Sequence, residues 1–355
     1  DHPAYRASSL TTLVHWANHT VQRGTPVSSS FKQTPKYDDV LSLFRRFDHG
    51  APALAMTRIQ GELFSATDPG HAFLERHRLS DRTMARVLHA LSLDGEAEAS
   101  LASVDLRHLC MIGETMLENA LWIVDSAVGE ATWIDTRKGP RPTAFRPVAD
   151  YVVISTVEDA LSPILAARAA AYDHVMDRLV RLRRRENVHS LDRASPALRS
   201  QIAQLEDRAV QALMGVKILD PAMGTGHFLI VAADVLTDWA IAQHRAYCGA
   251  HSDVPEPWDP IFRELVNARN RVRHQMSSLG QRLPPGWPDE LALIASWVVG
   301  SCIYGADVDP VAVNLAKANL SLWAFACGGA QFDFGHHLCR GNSLLGRRLR
   351  DTDLA

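Results

Sequence analysis

Residues 217–236 read KILDPAMGTGHFLIVAADVL. A short apolar run ends in Asp220, the chain passes through a loop holding Gly224 and Gly226, and a longer amphipathic run follows. The first run has the length of a buried strand and the second that of a helix. A G-x-G loop between an acid-tipped strand and a helix N-terminus bares the backbone at the carboxyl edge of a sheet. Open α/β folds bind their ligands there.

The pattern repeats downstream. Residues 301–309, SCIYGADVD, read as a second strand, and DPVAVNLAKANLSLWAF, from Asp309, reads as a second helix. Strand, helix, strand, helix predicts a parallel sheet with crossover connections. Asp307 falls at the second strand's tip, where a carboxylate can accept the hydrogens of both ribose hydroxyls. Asp309 is predicted to cap the second helix, with Pro310 in its first turn. Two ligands compete for such a site, a dinucleotide and S-adenosylmethionine. The dinucleotide fingerprint G-x-G-x-x-G needs a third glycine, and Leu229 stands in its place.

Working outward, the apolar spacing from Asp1 to about Gly129 is mostly helical, as in DDVLSLFRRF and SDRTMARVLHALSL. In the second stretch Ser80 is the expected N-cap, with Asp81 in the first turn and Gly95 after the last. The Pro/Gly-rich DTRKGPRPTAFRP, from Asp135, breaks that period and marks a domain boundary. Helical spacing returns from Ala149 to about Leu213. The expected organisation is a helical N-terminal domain over 1–135, a connector with helices over 136–215, and an α/β core over 216–355 interrupted by a helical insertion at 249–297. Within the connector, DRLVRLRRREN is read as a solvated face, with Asp177 and Glu186 as local partners for its arginines.

Composition narrows the class. The chain has 355 residues, of which 46% are hydrophobic, enough for a large core, and a formal charge of -3 that argues against coating nucleic acid by bulk electrostatics. Five widely spaced cysteines without a C-x-x-C pair suit a reducing cytoplasm. No apolar run approaches the roughly 20 residues of a membrane span, so no membrane association is expected. The chain starts at Asp1 without methionine, and an upstream segment is expected.

Together these residues resemble a known family. ILDPAMGTGHFL is similar to the first motif of gamma-class adenine-N6 DNA methyltransferases, D-P-A-x-G-T/S-G-x-F-L. IYGADVDPVAVNLAKANLSLW resembles their second motif and HHLCRGNSLLG their third. The specific likeness is to the large methylases of type IIG restriction–modification enzymes and of BREX- and DISARM-like phage-defence systems. IQGELFSATDPGHAFLERHRLSD and LRHLCMIGETMLENAL are similar to the helical region that precedes the methylase core there. RPTAFRPVADYVV lies where the family carries its tenth motif.

The resemblance implies an α/β fold in which a helical N-terminal domain precedes a partial, Rossmann-like domain that binds S-adenosylmethionine. It implies that Asp220, Ala222, Gly224, Thr225 and Gly226 cradle the methionine end of the cofactor, with Phe228 beneath the loop. Asp307 would hold the ribose, Val308 would lie against the adenine ring and Asn342 would meet the adenine amino edge. Phe145, Arg146 and Pro147 occupy the tenth-motif place, where Phe and Arg replace the usual Tyr and Thr. Asn342 stands where many relatives have Asp. The implied partners are double-stranded DNA, mainly through regions beyond this chain, and subunits of a defence system.

The family's fourth motif, (N/D)-P-P-(Y/F/W), orients the flipped-out adenine. None follows Asn342, and LPPGW at 283–287 is a turn rather than a substitute, since Leu283 cannot accept a hydrogen bond. No catalytic residue is therefore assigned, and the chain alone is expected to be inactive. The alternatives are a non-catalytic assembly subunit that binds S-adenosylmethionine and needs a partner chain, or a methyltransferase acting on RNA, protein or a small molecule. His244, Cys248 and His251 can be drawn as zinc ligands, but with no fourth ligand they are read as coincidence, and no metal is expected. His227 is read as a structural or cofactor-edge residue rather than a general base.

Overall fold

The computed structural model describes residues 9–30, 32, 34–50, 64–65, 69–94, 97–98, 110, 119–125, 130–135, 148–186, 195–278, 288–327, 334–345 and 347–348. It divides into two compact units, Asp1–Leu109 and Cys110–Ala355. The division falls ahead of the Pro/Gly-rich connector at which the sequence breaks its period.

Among its described residues the first unit holds four helices, α1 (Leu10–Gln22), α2 (Pro35–His49), α3 (Pro69–Arg76) and α4 (Asp81–Leu91). Leu13 and Ala17 of α1, Tyr37 and Leu41 of α2 and Met84, Ala85 and Leu88 of α4 form their common core. Ser80 caps α4 as expected, its Oγ accepting from the Thr83 N–H at 3.3 Å. Helix α4 stops at Leu91 and a short strand pair follows, β1 (Leu93–Asp94) with β2 (Ala97–Glu98); Gly95 lies outside the described residues.

The second unit opens with an antiparallel hairpin, β3 (Asn119–Asp125) and β4 (Glu130–Asp135). The sequence reading made 119–129 part of a helical stretch. The run NALWIVD is rich in β-branched and aromatic residues, which favour an extended strand, and it pairs with EATWID.

Two long helices come next, α5 (Asp150–Arg185) and α6 (Pro196–Met214), packed on each other. Buried Tyr172, Met176 and Leu179 of α5 belong to the same core as Ile202, Leu205 and Ala209 of α6. The arginine run does not form one solvated face. Arg183 is only 2% exposed, and its guanidinium donates to Glu206 Oε1 at 2.6 Å. Glu206 Oε2 also meets Arg263 at 2.7 Å, joining α5, α6 and α8 (Pro260–Ser278). Arg178, Arg181 and Arg185 line a cleft of about 330 Å³ with Gln201, and Asp177 faces Tyr247 and His251 instead of an arginine. Arg185 does meet the expected Glu186, at 2.8 Å.

The sheet forms from β5 (Ile218–Asp220), β6 (Ile303–Asp307), β7 (Leu338–Asn342) and β8 (Arg347–Arg348), in that order. The first three are parallel and β8 is antiparallel. Helix α7 (His227–Ala250) leaves β5 and packs on β5 and β6, and α10 (Pro310–Ala326) packs on β6 and β7. Between them α8 and α9 (Glu290–Ser301) make up most of the insertion; LPPGW lies outside the described residues. The chain is thus a mixed α/β protein, largely helical around a small parallel sheet. No helix among the described residues is long and apolar enough to cross a membrane.

Gly305 sits at the packing point of α7 on β6. A Cβ there would lie 2.3 Å from Met223 Sδ and 3.0 Å from Leu229 Cδ1. Leu229, the residue standing in place of a third glycine, therefore gains its close helix–sheet contact from a glycine on the strand.

The buried Arg183–Glu206 pair supplies a prediction. Glu206→Ala strands the Arg183 guanidinium in the interior, and a buried charge stripped of its partner costs about 3–5 kcal/mol. Urea unfolding of the second unit should show a loss of that size, whereas Arg185→Ala at the exposed Arg185–Glu186 pair should change stability by less than about 1 kcal/mol.

Candidate ligand site at the strand tips

The glycine loop is held at every residue. Asp220 ends β5, and its Oδ1 accepts the Ala222 N–H at 3.0 Å, closing a local turn. Met223 is buried and its N–H reaches the Ala306 carbonyl at 3.1 Å, prolonging the β5–β6 ladder past the strand end. Gly224 donates its N–H to Asp307 Oδ2 at 2.9 Å. Gly224 and Gly226 have φ of 54° and 89°, the left-handed region that side chains strain to adopt. At Gly226 an added Cβ would also lie 3.2 Å from the Ala316 Cβ of α10.

The residues around the loop point in different directions. Thr225 is fully buried, with its Oγ1 donating to the Cys110 carbonyl at 3.3 Å and its own carbonyl accepting from Asn319 Nδ2 at 3.0 Å. Its side chain and its carbonyl both anchor the loop. Phe228 is half-buried at the start of α7 and Ala222 is exposed. His227 is buried, and its Nε2 meets Asp150 Oδ1, on the first turn of α5, at 2.9 Å. Its Nδ1 has no partner among the described residues. That arrangement fits a structural tie. Phe145, Arg146 and Pro147 lie outside the described residues.

Asp307 serves two neighbours. Oδ2 holds Gly224, and Oδ1 accepts the Asp309 N–H at 2.9 Å. Each carboxylate oxygen keeps one further acceptor direction for a ligand. Asp309 caps α10 as expected, accepting from Val311 N–H at 2.8 Å, and Val308 is 53% exposed beside the carboxylate. Asn342 ends β7, and its Oδ1 accepts the Leu344 and Leu345 N–H groups at 3.1 and 3.3 Å. Its acceptor is thereby used, and the amide NH2 is what it can present to a ligand. A ring nitrogen acceptor suits that group better than the amino edge the sequence suggested.

In the β5–β6 register Asp220 lies opposite Gly305, two residues short of Asp307, so both acids stand at the same end of the sheet. Burial, helped by the Asp307 charge, holds the Asp220 carboxyl above its ordinary range despite the Ala222 N–H. The arrangement offers two acids, the backbone of a glycine turn and the N-terminal, positive end of the 24-residue α7. It can bind a ligand carrying an ammonium, a carboxylate and hydroxyls.

Comparisons with protein-family models, with curated proteins and with solved structures give no match.

The raised Asp220 carboxyl fixes a sign. Its ionisation opposes folding, an effect absent below the ordinary carboxylate range and complete once pH exceeds the raised value. Asp220→Asn keeps the acceptor for Ala222 N–H and removes the charge. Thermal denaturation should therefore find the variant more stable than the parent at neutral pH, with the difference vanishing on acidification. A variant less stable at neutral pH contradicts this.

Proposed function

We propose that the glycine loop and strand tips bind S-adenosylmethionine, and that the chain is the cofactor-binding part of a DNA adenine-N6 methyltransferase of a restriction–modification or phage-defence system. The observation that carries the reading is the Gly224 N–H to Asp307 Oδ2 bond, which couples the glycine loop to the carboxylate suited to a ribose. The ligand's parts match the groups present. Asp220 suits the methionine ammonium, the amides at the start of α7 suit its carboxylate, Asp307 accepts from the ribose hydroxyls and Val308 supports the adenine ring. The Asn342 amide donates to an adenine ring nitrogen.

The same geometry favours this cofactor over a dinucleotide. A pyrophosphate is doubly anionic and would stand against Asp220 and Asp307, while Leu229 fills the place of the third glycine. A sulfonium carrying an ammonium reverses the sign of that interaction. The adenine-N6 specificity and the defence context rest on the resemblance of the three motifs. Within the 355 residues no N-P-P-aromatic run follows Asn342, so the role assigned to this chain is cofactor binding rather than orientation of the base.

Calorimetric titration tests the reading. Asp307→Ala removes a charged acceptor worth about 1.5–3 kcal/mol, so affinity for S-adenosylmethionine should fall about ten- to a hundredfold in a folded variant. NADH should not compete. Unchanged affinity in Asp307→Ala, or NADH binding more tightly than S-adenosylmethionine, overturns the proposal.

A further inference from the structure

We propose that the corner where α7 meets α8 is a zinc site, with His244 Nε2, Cys248 Sγ and Asp259 Oδ2 as its three protein ligands and solvent at the fourth position. His244 and Cys248 are one turn apart on one face of α7, and Asp259 stands immediately before α8. The sequence pattern suggested His251 as the third ligand. In the fold, His251 Nδ1 bonds the Tyr247 carbonyl at 3.1 Å and its ring stacks on Tyr247 with centroids 4.2 Å apart, so the third donor comes from the next helix instead.

The three donor atoms already form a coordination face. Sγ lies 3.6 Å from Nε2 and 3.5 Å from Oδ2. Tetrahedral zinc with ordinary Zn–S, Zn–N and Zn–O lengths sets those edges at about 3.5–3.6 Å. The remaining edge, Nε2 to Oδ2, is 2.7 Å and has to open to about 3.3 Å. Asp259 is oriented for monodentate binding, because its Oδ1 is taken by the Ile261 and Phe262 N–H groups at 2.8 and 3.3 Å.

His244 is arranged as zinc-bound histidines are. Its Nδ1 faces Glu290 Oε1 at 3.2 Å, and Glu290 Oε2 is fixed by Arg245 Nε at 2.8 Å. A neutral imidazole that donates to Glu290 turns the Nε2 lone pair toward Asp259 Oδ2, two acceptors face to face. Either a second proton on the ring or a metal cation between them resolves the conflict, and in the metal-bound form the carboxylate on the opposite nitrogen fixes the tautomer. A thiolate and a carboxylate neutralise the dication, which suits a site where His244 and Asp259 are buried, while the exposure of Cys248 leaves a route for the ion and a solvent ligand. Thiolate with imidazole selects zinc over magnesium or calcium.

Without the metal, His244 takes a second proton to satisfy both carboxylates, and Cys248 remains a thiol. Zinc entry forms the Zn–N, Zn–S and Zn–O bonds and releases one proton from His244 and one from Cys248, with no change of oxidation state. The ion would tie the end of α7 to the start of α8, with the α9 residue Glu290 in its outer sphere. It would thereby fix both ends of the insertion that separates the two ligand-binding strands.

The test is metal content and affinity of the tag-free chain. After dialysis, mass spectrometry of the metals should find a single zinc ion per chain, retained in His251→Ala and lost in Cys248→Ser. Asp259→Asn keeps the helix cap and should also lose zinc. Glu290→Gln should weaken zinc about 10–100-fold against a chromophoric chelator. Cobalt substitution should give a thiolate-to-metal charge-transfer band that Cys248→Ser abolishes while circular dichroism stays that of a folded protein. A chain that takes up no zinc from an equimolar solution, or zinc uptake unaffected by Cys248→Ser, overturns the site and leaves His244 as an imidazolium between two carboxylates.

Discussion

The hydrogen bond from the Gly224 N–H to Asp307 Oδ2 joins the tips of two parallel strands that are far apart in sequence. A loop built on glycines lacks side-chain packing at those positions, so it needs other restraints to stay in one conformation. Asp307 supplies one, the Met223 bond to Ala306 another, and Thr225 is locked from below by Asn319 and the Cys110 carbonyl. His227 and Asp150 tie the helix start to α5.

The carboxylates that make the site are kept at a cost to the fold. Asp220 is drawn into a partly dry position near a second acid, and its raised carboxyl records that strain on the charged form. Such an arrangement gains most when a positive group arrives, because the ligand removes a repulsion already present. The Arg183–Glu206–Arg263 network lies elsewhere in the same unit, with Arg183 and Glu206 buried and Arg263 half-buried, and it ties three helices together.

Sequence pattern located β5, α7, β6 and α10 because each has an unambiguous period and a local stop signal, the Asp309–Pro310 cap being the clearest. Ser80 was legible for the same reason. The β3–β4 hairpin was not, since its partners are decided by pairing rather than by periodicity within either run. The partnership of Arg183 with Glu206 spans two helices and leaves no local trace. Of the candidate site residues, the strand-tip acids and glycines could be read in order, whereas the inward turn of Thr225 and the occupied acceptor of Asn342 depend on contacts that a linear pattern does not carry. The donor set at the α7–α8 corner shows the same limit: the i, i+4 pair of His244 and Cys248 is visible, and Asp259 joins it only after the chain turns.

The central claim is that S-adenosylmethionine binds across the glycine loop and the tip of β6. Hydrogen–deuterium exchange with and without saturating S-adenosylmethionine measures this directly, because the amides at the start of α7 are proposed contacts and the loop that leads into them lies beside the ligand. Slowed exchange over residues 222–228 and 307–309, with α1 to α4 unchanged, is the predicted result. Unaltered exchange in both segments at saturation, or protection confined to α1 to α4, would contradict it.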